Sequence, residues 1–249
     1  MSLHLEPGQW ALLVAGAFFV GLSKTGLPGL GVLFVAVFSV ALGARAATGV
    51  VLPMLIVGDL LATATYRRHL VWTQLWRLFP WTAAGVVAGW LVFGKLDDAR
   101  SARLIGFILV AMLGLHFWRK IRTPSEATVE TSAWPVAAGT GVVAGFCTLV
   151  ANAAGPVMNL YLLAMKLPKL EFMGTCAAFF LLLNWFKVPF MVNLGLINAA
   201  SLQLNLYLVP AVVAGAVAGR WTLGRINQKW FEIITLTLTA AAAVKLVMT

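Results

Sequence analysis

Gly21-Leu22-Ser23-Lys24-Thr25-Gly26-Leu27-Pro28-Gly29-Leu30-Gly31 interrupts the first apolar run of the chain. Gly145-Phe146-Cys147-Thr148-Leu149-Val150-Ala151-Asn152-Ala153-Ala154-Gly155-Pro156 does the same in its second half. Glycine and proline at this density stop a helix and restart it. The pieces flanking the first break, 10–22 and 27–43, are 13 and 17 residues long, short for a bilayer crossing. Irregular backbone survives in hydrocarbon only where protein or a water-filled cavity satisfies its amides. Each half is therefore expected to begin with a broken or re-entrant helix pair. Each break frees the N-terminus of the next helix, near Pro28 to Gly31 and near Ala154 to Pro156, and two such ends meeting at the midplane would attract an anion. The same stretches also suit the tight turns of ordinary helical hairpins.

The solvent is set by composition. Of 249 residues, 61% are hydrophobic and only 10% charged, with a mean hydropathy of +0.92, whereas an ordinary soluble chain is about half apolar and a quarter charged. At roughly 20 residues per crossing, the chain has room for about eight to ten membrane segments and no large soluble domain. The apolar runs number ten: 10–22, 27–43, 46–66, 78–94, 102–118, 134–151, 153–165, 170–192, 200–219 and 230–245. Backbone amides must pair within each segment and the alternation of a barrel strand is absent, so the segments read as helices, making an all-α polytopic bundle. A positively charged n-region is missing from Met1 to Gly8, so no cleavable signal peptide is expected.

Residues 119–133 form the one sustained polar run, dividing a first repeat (1–118) from a second (134–249). Trp10, Gly21 and Gly31 recur as Trp134, Gly145 and Gly155 at an offset of 124. One inserted residue later, Gly49 and Asp59 align with Gly174 and Asn184. Pro80, Gly85, Gly89 and Gly94 recur as Pro210, Gly215, Gly219 and Gly224 at an offset of 130. An odd number of segments per half, five, turns the second copy upside down in the membrane. Counting loops from the N-terminus, one side holds eleven Lys and Arg, among them Arg67, Arg68, Arg77, Arg119 and Lys169, and the other holds five. The richer side is expected in the cytoplasm, with both termini outside and 119–133 as a cytoplasmic linker. The net charge of +10 reads as this orientation signal and not as a nucleic-acid surface.

Trp10, Trp72, Trp76, Trp118, Trp134 and Trp230 flank segment ends, as interface anchors do. Gly85-x3-Gly89 and Gly215-x3-Gly219 would let helices approach closely, within the chain or between copies in a homo-oligomer. Cys147 and Cys176 sit in apolar runs as small hydrophobes, and the histidines are scattered. No metal or cofactor is therefore expected.

Chemistry falls to few residues. Lys24, Asp59 and Lys187 are the charges in or beside apolar segments, each costly unless paired or hydrated. Two lysines against one aspartate leave one anion lacking, which a bound substrate could supply. Asn184 lies three residues before Lys187, on the same helix face, so Lys187 should meet either Asp59 or a substrate. An Asp59–Lys187 structural pair, or snorkelling of Lys24, would account for the same residues without function. Ser23, Thr25, Thr148 and Asn152 add hydrogen-bonding groups at the breaks, beside the bare backbone of Gly26, Pro28, Gly29, Gly31, Gly155 and Pro156.

The broken glycine-rich first segment with its copy, Asn184-x-x-Lys187 in the eighth segment, and the length near 250 resemble the sulfite exporter TauE/SafE family of bacterial membrane proteins, across essentially the whole chain. The resemblance implies transport of sulfur-containing anions such as sulfite and sulfonates, usually outward across the inner membrane. Lys24 and Pro28 in the first break, and Ala153-Ala154-Gly155 in the second, depart from a pattern that is mainly glycine and small residues. The resulting expectation is a secondary carrier in which both breaks, Lys24 or Lys187, and the polar residues above bind a small oxyanion, with Asp59 as a proton-linked or ion-paired gate. A passive anion channel would share that site. A membrane-embedded enzyme would need a nucleophile, paired acids or metal ligands, and no such constellation is legible.

Overall fold

The computed structural model describes residues 6–93, 107, 110 and 134–248. Nine helices have defined bounds: α1 (Pro7–Thr25), α2 (Gly31–Leu42), α3 (Ala44–Tyr66), α4 (Trp72–Phe93), α5 (Trp134–Ala151), α6 (Ala154–Ala164), α7 (Lys169–Asn193), α8 (Ala199–Arg225) and α9 (Gln228–Met248), with a 3-10 turn at Arg67–His69. No strand occurs among the described residues. Each helix covers one expected segment. The fifth, 102–118, and the linker 119–133 lie outside the described residues apart from helical positions 107 and 110, as does Trp118.

Several helices outrun the apolar run that revealed them, because hydropathy marks only what hydrocarbon touches while backbone hydrogen bonding continues into the interface. α4 begins at Trp72 instead of 78, with Trp72 and Trp76 exposed beside Gln74 and Arg77. Trp134 and Trp230 are likewise exposed at the starts of α5 and α9, as membrane anchors are. α8 is fixed at its start by reciprocal capping: Ser201 N donates to Asn198 Oδ1 (3.0 Å) and Asn198 N to Ser201 Oγ (2.9 Å). Among the described residues four stretches are long and apolar enough to cross a bilayer, Ala46–His69, Trp72–Val92, Lys169–Asn193 and Ala199–Arg225. α2 and α6, with 12 and 11 residues, rise only about 17 Å, roughly half of a hydrocarbon core.

The breaks are narrower than the sequence suggested. α1 continues unbroken to Thr25 and α5 to Ala151, leaving only residues 26–30 and 152–153 irregular. Gly21 and Gly145 are therefore not breakers but contact points. A Cβ on Gly21 would lie 1.9 Å from the Val212 carbonyl oxygen on α8, and one on Gly145 2.0 Å from that of Thr82 on α4. Reciprocally, a Cβ on Gly85 of α4 would lie 2.1 Å from the Val142 carbonyl oxygen, and one on Gly215 of α8 2.0 Å from that of Phe18. These four contacts match at the repeat offsets: Phe18 and Gly21 stand 124 residues before Val142 and Gly145, and Thr82 and Gly85 stand 130 before Val212 and Gly215. α1 thus packs on α8 and α4 on α5, so each half lends a helix to the other. The two apolar cores show the same exchange, one gathering α1, α2 and α3 with Leu204, Leu208 and Val212 of α8, the other centred on α5, α6 and α7 with Leu78 and Val86 of α4.

The Gly-x3-Gly faces are filled by these contacts within the chain. Gly89 meets Leu149, and Gly219 meets Thr25 and Leu22, which is the first of the two roles the sequence allowed, close approach of helices within the chain.

Gly→Ala in a helix normally stabilises by up to about 1 kcal/mol. Here Gly21→Ala and Gly145→Ala should instead destabilise, by about 1–3 kcal/mol, because the partner is immovable backbone. Gly139→Ala on α5, with nothing within 4 Å of the new Cβ, should show the ordinary sign. Thermal unfolding in detergent measures all three; stabilisation at 21 and 145 would refute the packing role.

Candidate functional site

The two breaks meet. Ser23 and Lys24 from the last turn of α1, Pro28, Gly29 and Gly31 from the first break, and Thr148, Asn152, Gly155 and Pro156 from the second line one cavity of about 90 Å³. Asp59 of α3 and Asn184 of α7 complete its polar wall. One water needs roughly 10–15 Å³ of such space, so the cavity suits a small ion or a few waters. Phe34, Val35, Leu55, Met173 and Phe180 form its apolar wall.

α2 and α6 start at this cavity, at Gly31 and Ala154, and neither helix has a side-chain cap. The positive ends of both helices therefore lie beside the cavity without a side chain to cap them. No side chain crowds Gly155, where a Cβ would meet nothing within 4 Å. Asn152 ends α5 in the left-handed region, φ 50°, a conformation that asparagine tolerates better than most residues. That turn swings its side chain toward α7.

Of the two partners open to Lys187, Asp59 or a substrate, Asp59 is held by Lys24 instead. Lys24 Nζ lies 2.7 Å from Asp59 Oδ1, and Asn184 Nδ2 donates to Asp59 Oδ2 at 2.7 Å. Asp59 is fully buried and Lys24 is 12% exposed, so Lys24 does not snorkel but reaches into the protein, its ammonium also 4.4 Å from the centroid of Phe180. Lys187, fully buried, donates instead to Asn152 Oδ1 (2.6 Å) and Thr148 Oγ1 (3.1 Å). It sits behind these two residues and does not line the cavity. Three residues on a helix turn about 300°, so Asn184 and Lys187 share a side of α7 but differ by about 60°, enough for one to meet α3 and the other α5.

This arrangement leaves open valences toward the cavity. Thr148 accepts from Lys187, so its hydroxyl proton is free to be donated elsewhere. The Asn184 carbonyl oxygen is buried with no partner in the protein, which a water or a donor group on a ligand would satisfy.

Two of the expected residues do other work. Thr25 Oγ1 donates to Ala216 O (2.6 Å) and Gly21 O (3.1 Å), and its carbonyl accepts from Tyr66 Oη (2.6 Å), tying α1 to α8 and α3. Gly26 packs on Gly219, where a Cβ would fall 2.4 Å from the carbonyl oxygen. Asn159 of α6 was not singled out by sequence; it lines the cavity and donates to the Pro28 carbonyl (3.0 Å) and Thr239 Oγ1 (3.3 Å), holding the first break in place. It stands alone in an apolar helix, and an asparagine in such a position is the signal that could have found it. Among the described residues no three His, Cys, Asp or Glu side chains gather as metal ligands would.

Comparison with curated proteins and with solved structures returned no match. The family model described as Sulfite exporter TauE/SafE matches residues 13–246. That match covers nearly the whole chain, both breaks and every residue of the cavity, and the protein belongs to the TauE/SafE family, integral membrane transporters of sulfite-type anions.

Proposed function

We propose that the protein is a secondary transporter that exports a small sulfur-containing oxyanion, sulfite, sulfoacetate or another organosulfonate, by alternating access. The observation that carries the reading is that two lysines serve one small cavity, Lys24 in its wall and Lys187 behind Thr148 and Asn152, while the single carboxylate in its lining, Asp59, is paired with Lys24. Asp59 neutralises Lys24. The charge of Lys187 is relayed through Thr148 and Asn152, and an anion in the cavity is its natural counterion. Backbone N–H groups at the starts of α2 and α6 supply further donors without added charge.

The halves act as inverted repeats. The matched glycine contacts at offsets 124 and 130 support this, since a two-fold axis makes each contact occur twice with the roles exchanged. Contact between Asp59 and Asn184, themselves repeat partners, is what such an axis produces where it passes between them. α2 and α6 are half-crossings that return to the side from which they came. The protein sits in the bacterial inner membrane with both termini outside.

Reconstituted proteoliposomes should accumulate or release sulfite, sulfoacetate or taurine, with unlabelled anion on the far side accelerating exchange. A carrier shows that acceleration and a channel does not. A C-terminal reporter should be active outside the cytoplasm. Absence of flux for every sulfur anion, or a cytoplasmic C-terminus, would overturn the respective reading.

A further inference from the structure

Resting on the reading of the protein as a carrier, we infer that Tyr66 latches the gate of the cavity. It holds α1 shut against α3, and the seam it closes is the one that opens to admit the anion, from the face that bears Arg67 and Arg68.

Tyr66 is the last residue of α3 and is buried. Its Oη donates to the Thr25 carbonyl at 2.6 Å. Asp59 and Tyr66 are seven residues apart on α3, within about 20° of each other around the helix, so α3 grips α1 at two levels: Asp59 on Lys24 (2.7 Å) and Tyr66 on Thr25. The second grip lies at the rim of the cavity. Thr25 follows Lys24, and Gly174, where a Cβ would lie 2.8 Å from the Tyr66 carbonyl oxygen, follows Met173; Lys24 and Met173 both line the cavity. Each side of this seam is tied to a further helix. Val71 N donates to Thr175 Oγ1 (3.0 Å), which with Gly174 fixes the end of α3 to α7. Thr25 Oγ1 donates to Ala216 O, and Gly21, Gly215 and Gly219 pack backbone on backbone, so α1 travels with α8. The bond from Tyr66 to Thr25 crosses between the two bodies.

The repeat supplies an internal comparison. The places of Thr25, Tyr66 and Ala216 are taken in the other half by Leu149, Met191 and Val86, at offsets of 124, 125 and 130. All three are fully buried in one apolar core. Opening the Tyr66 seam exchanges a hydrogen bond within the protein for one to water, a modest net change. Opening its counterpart exposes three apolar side chains, for which water offers no compensation. The two gates thus differ in kind, and the polar one is the easier to open. An anion that takes Lys24 from Asp59 loosens the first grip and leaves the second, at Tyr66, to keep the seam closed. Arg67 and Arg68, exposed directly after Tyr66, attract anions to the same face.

The protein carries its own reporter. Of its two cysteines, both free and buried, Cys176 lines the cavity and Cys147 does not, so a thiol reagent reaches Cys176 when a gate opens. The membrane-impermeant 2-sulfonatoethyl methanethiosulfonate, itself an organosulfonate, is applied to either face of oriented vesicles holding the full-length protein, and modification is read by mass spectrometry. Cys176 of wild type should react about tenfold or more faster from the face of Arg67 and Arg68. Tyr66→Phe keeps the ring and removes only the hydroxyl. It should speed that reaction about three- to tenfold, as loss of one hydrogen bond does, and leave Cys147 and the opposite face unchanged. An unchanged rate in Tyr66→Phe would overturn the latch. So would a gain at both faces or modification of Cys147, since either marks a loosened fold and not a gate. Faster reaction of wild type from the opposite face would put the easier gate at Leu149 and Met191, overturning the inference while leaving the carrier standing. Equal, rapid reaction from both faces would mark a continuous pore and overturn the carrier reading with it. A wild type unreactive from both faces would show that neither seam opens, and the inference would fall.

Discussion

Lys187→Met should yield a protein that folds and inserts but moves anion at roughly one-tenth to one-hundredth of the wild-type rate at low substrate. Methionine matches the length and fills the space, while the buried ammonium and its two hydrogen bonds to Asn152 and Thr148 disappear. A hydrogen bond to a charged group is worth about 1.5–3 kcal/mol, and each 1.4 kcal/mol is tenfold in affinity. Stability should change little, because the substitution removes a buried charge together with its desolvation cost, and cavity water can take the place of the ammonium at Asn152. Adding Asp59→Asn should not restore flux, since Asp59 is held by Lys24 and not by Lys187. Flux assays on both variants, beside thermal unfolding to show that each is folded, decide the matter. Wild-type flux in Lys187→Met, or recovery in the double variant, would remove Lys187 from the transport site.

Asp59→Asn should have the larger effect on stability. It breaks a buried ion pair at one end and leaves Lys24 facing an amide, which costs about 3–5 kcal/mol in comparable buried pairs. For a chain of this size about 2–4 °C accompanies each kcal/mol, so a fall on the order of 10 °C in detergent is expected. Lys24→Met/Asp59→Asn should regain most of the loss, because both charges then leave together and no unpaired group stays behind. Unchanged stability in the single variant would mean that Lys24 finds another partner, and the ion pair would then not anchor α1 to α3.

These two predictions turn on a pairing that the sequence left open. Lys24, Asp59 and Lys187 stand out on a linear reading because a charge in an apolar run is conspicuous whatever its partner. Which lysine meets Asp59 depends on how α1, α3, α5 and α7 are rotated about their axes. A rotation of 60° along α7 separates Asn184, on Asp59, from Lys187, on Thr148 and Asn152. Sequence spacing places both residues on one side of the helix and cannot resolve that difference. The breaks show the same limit. Glycine density located them, but glycine serves both to end a helix and to admit a neighbour's backbone, and Gly21, Gly26 and Gly145 turned out to do the second.

By itself the sequence determined the solvent, the all-helical class, the position of every helix with defined bounds to within six residues at either end, and the short stock of polar residues available to a site. Each of these follows from composition or from spacing along one helix, which are local properties. The tertiary structure decided which glycines are contacts, how the halves exchange α4 and α8, that Thr25 and Gly26 face a neighbouring helix and not the cavity, and which cation the single carboxylate neutralises. These are properties of pairs of residues from 35 positions apart, as for Lys24 and Asp59, to 193, as for Gly26 and Gly219. They depend on the rigid rotation of one helix against another, which neither hydropathy nor spacing encodes.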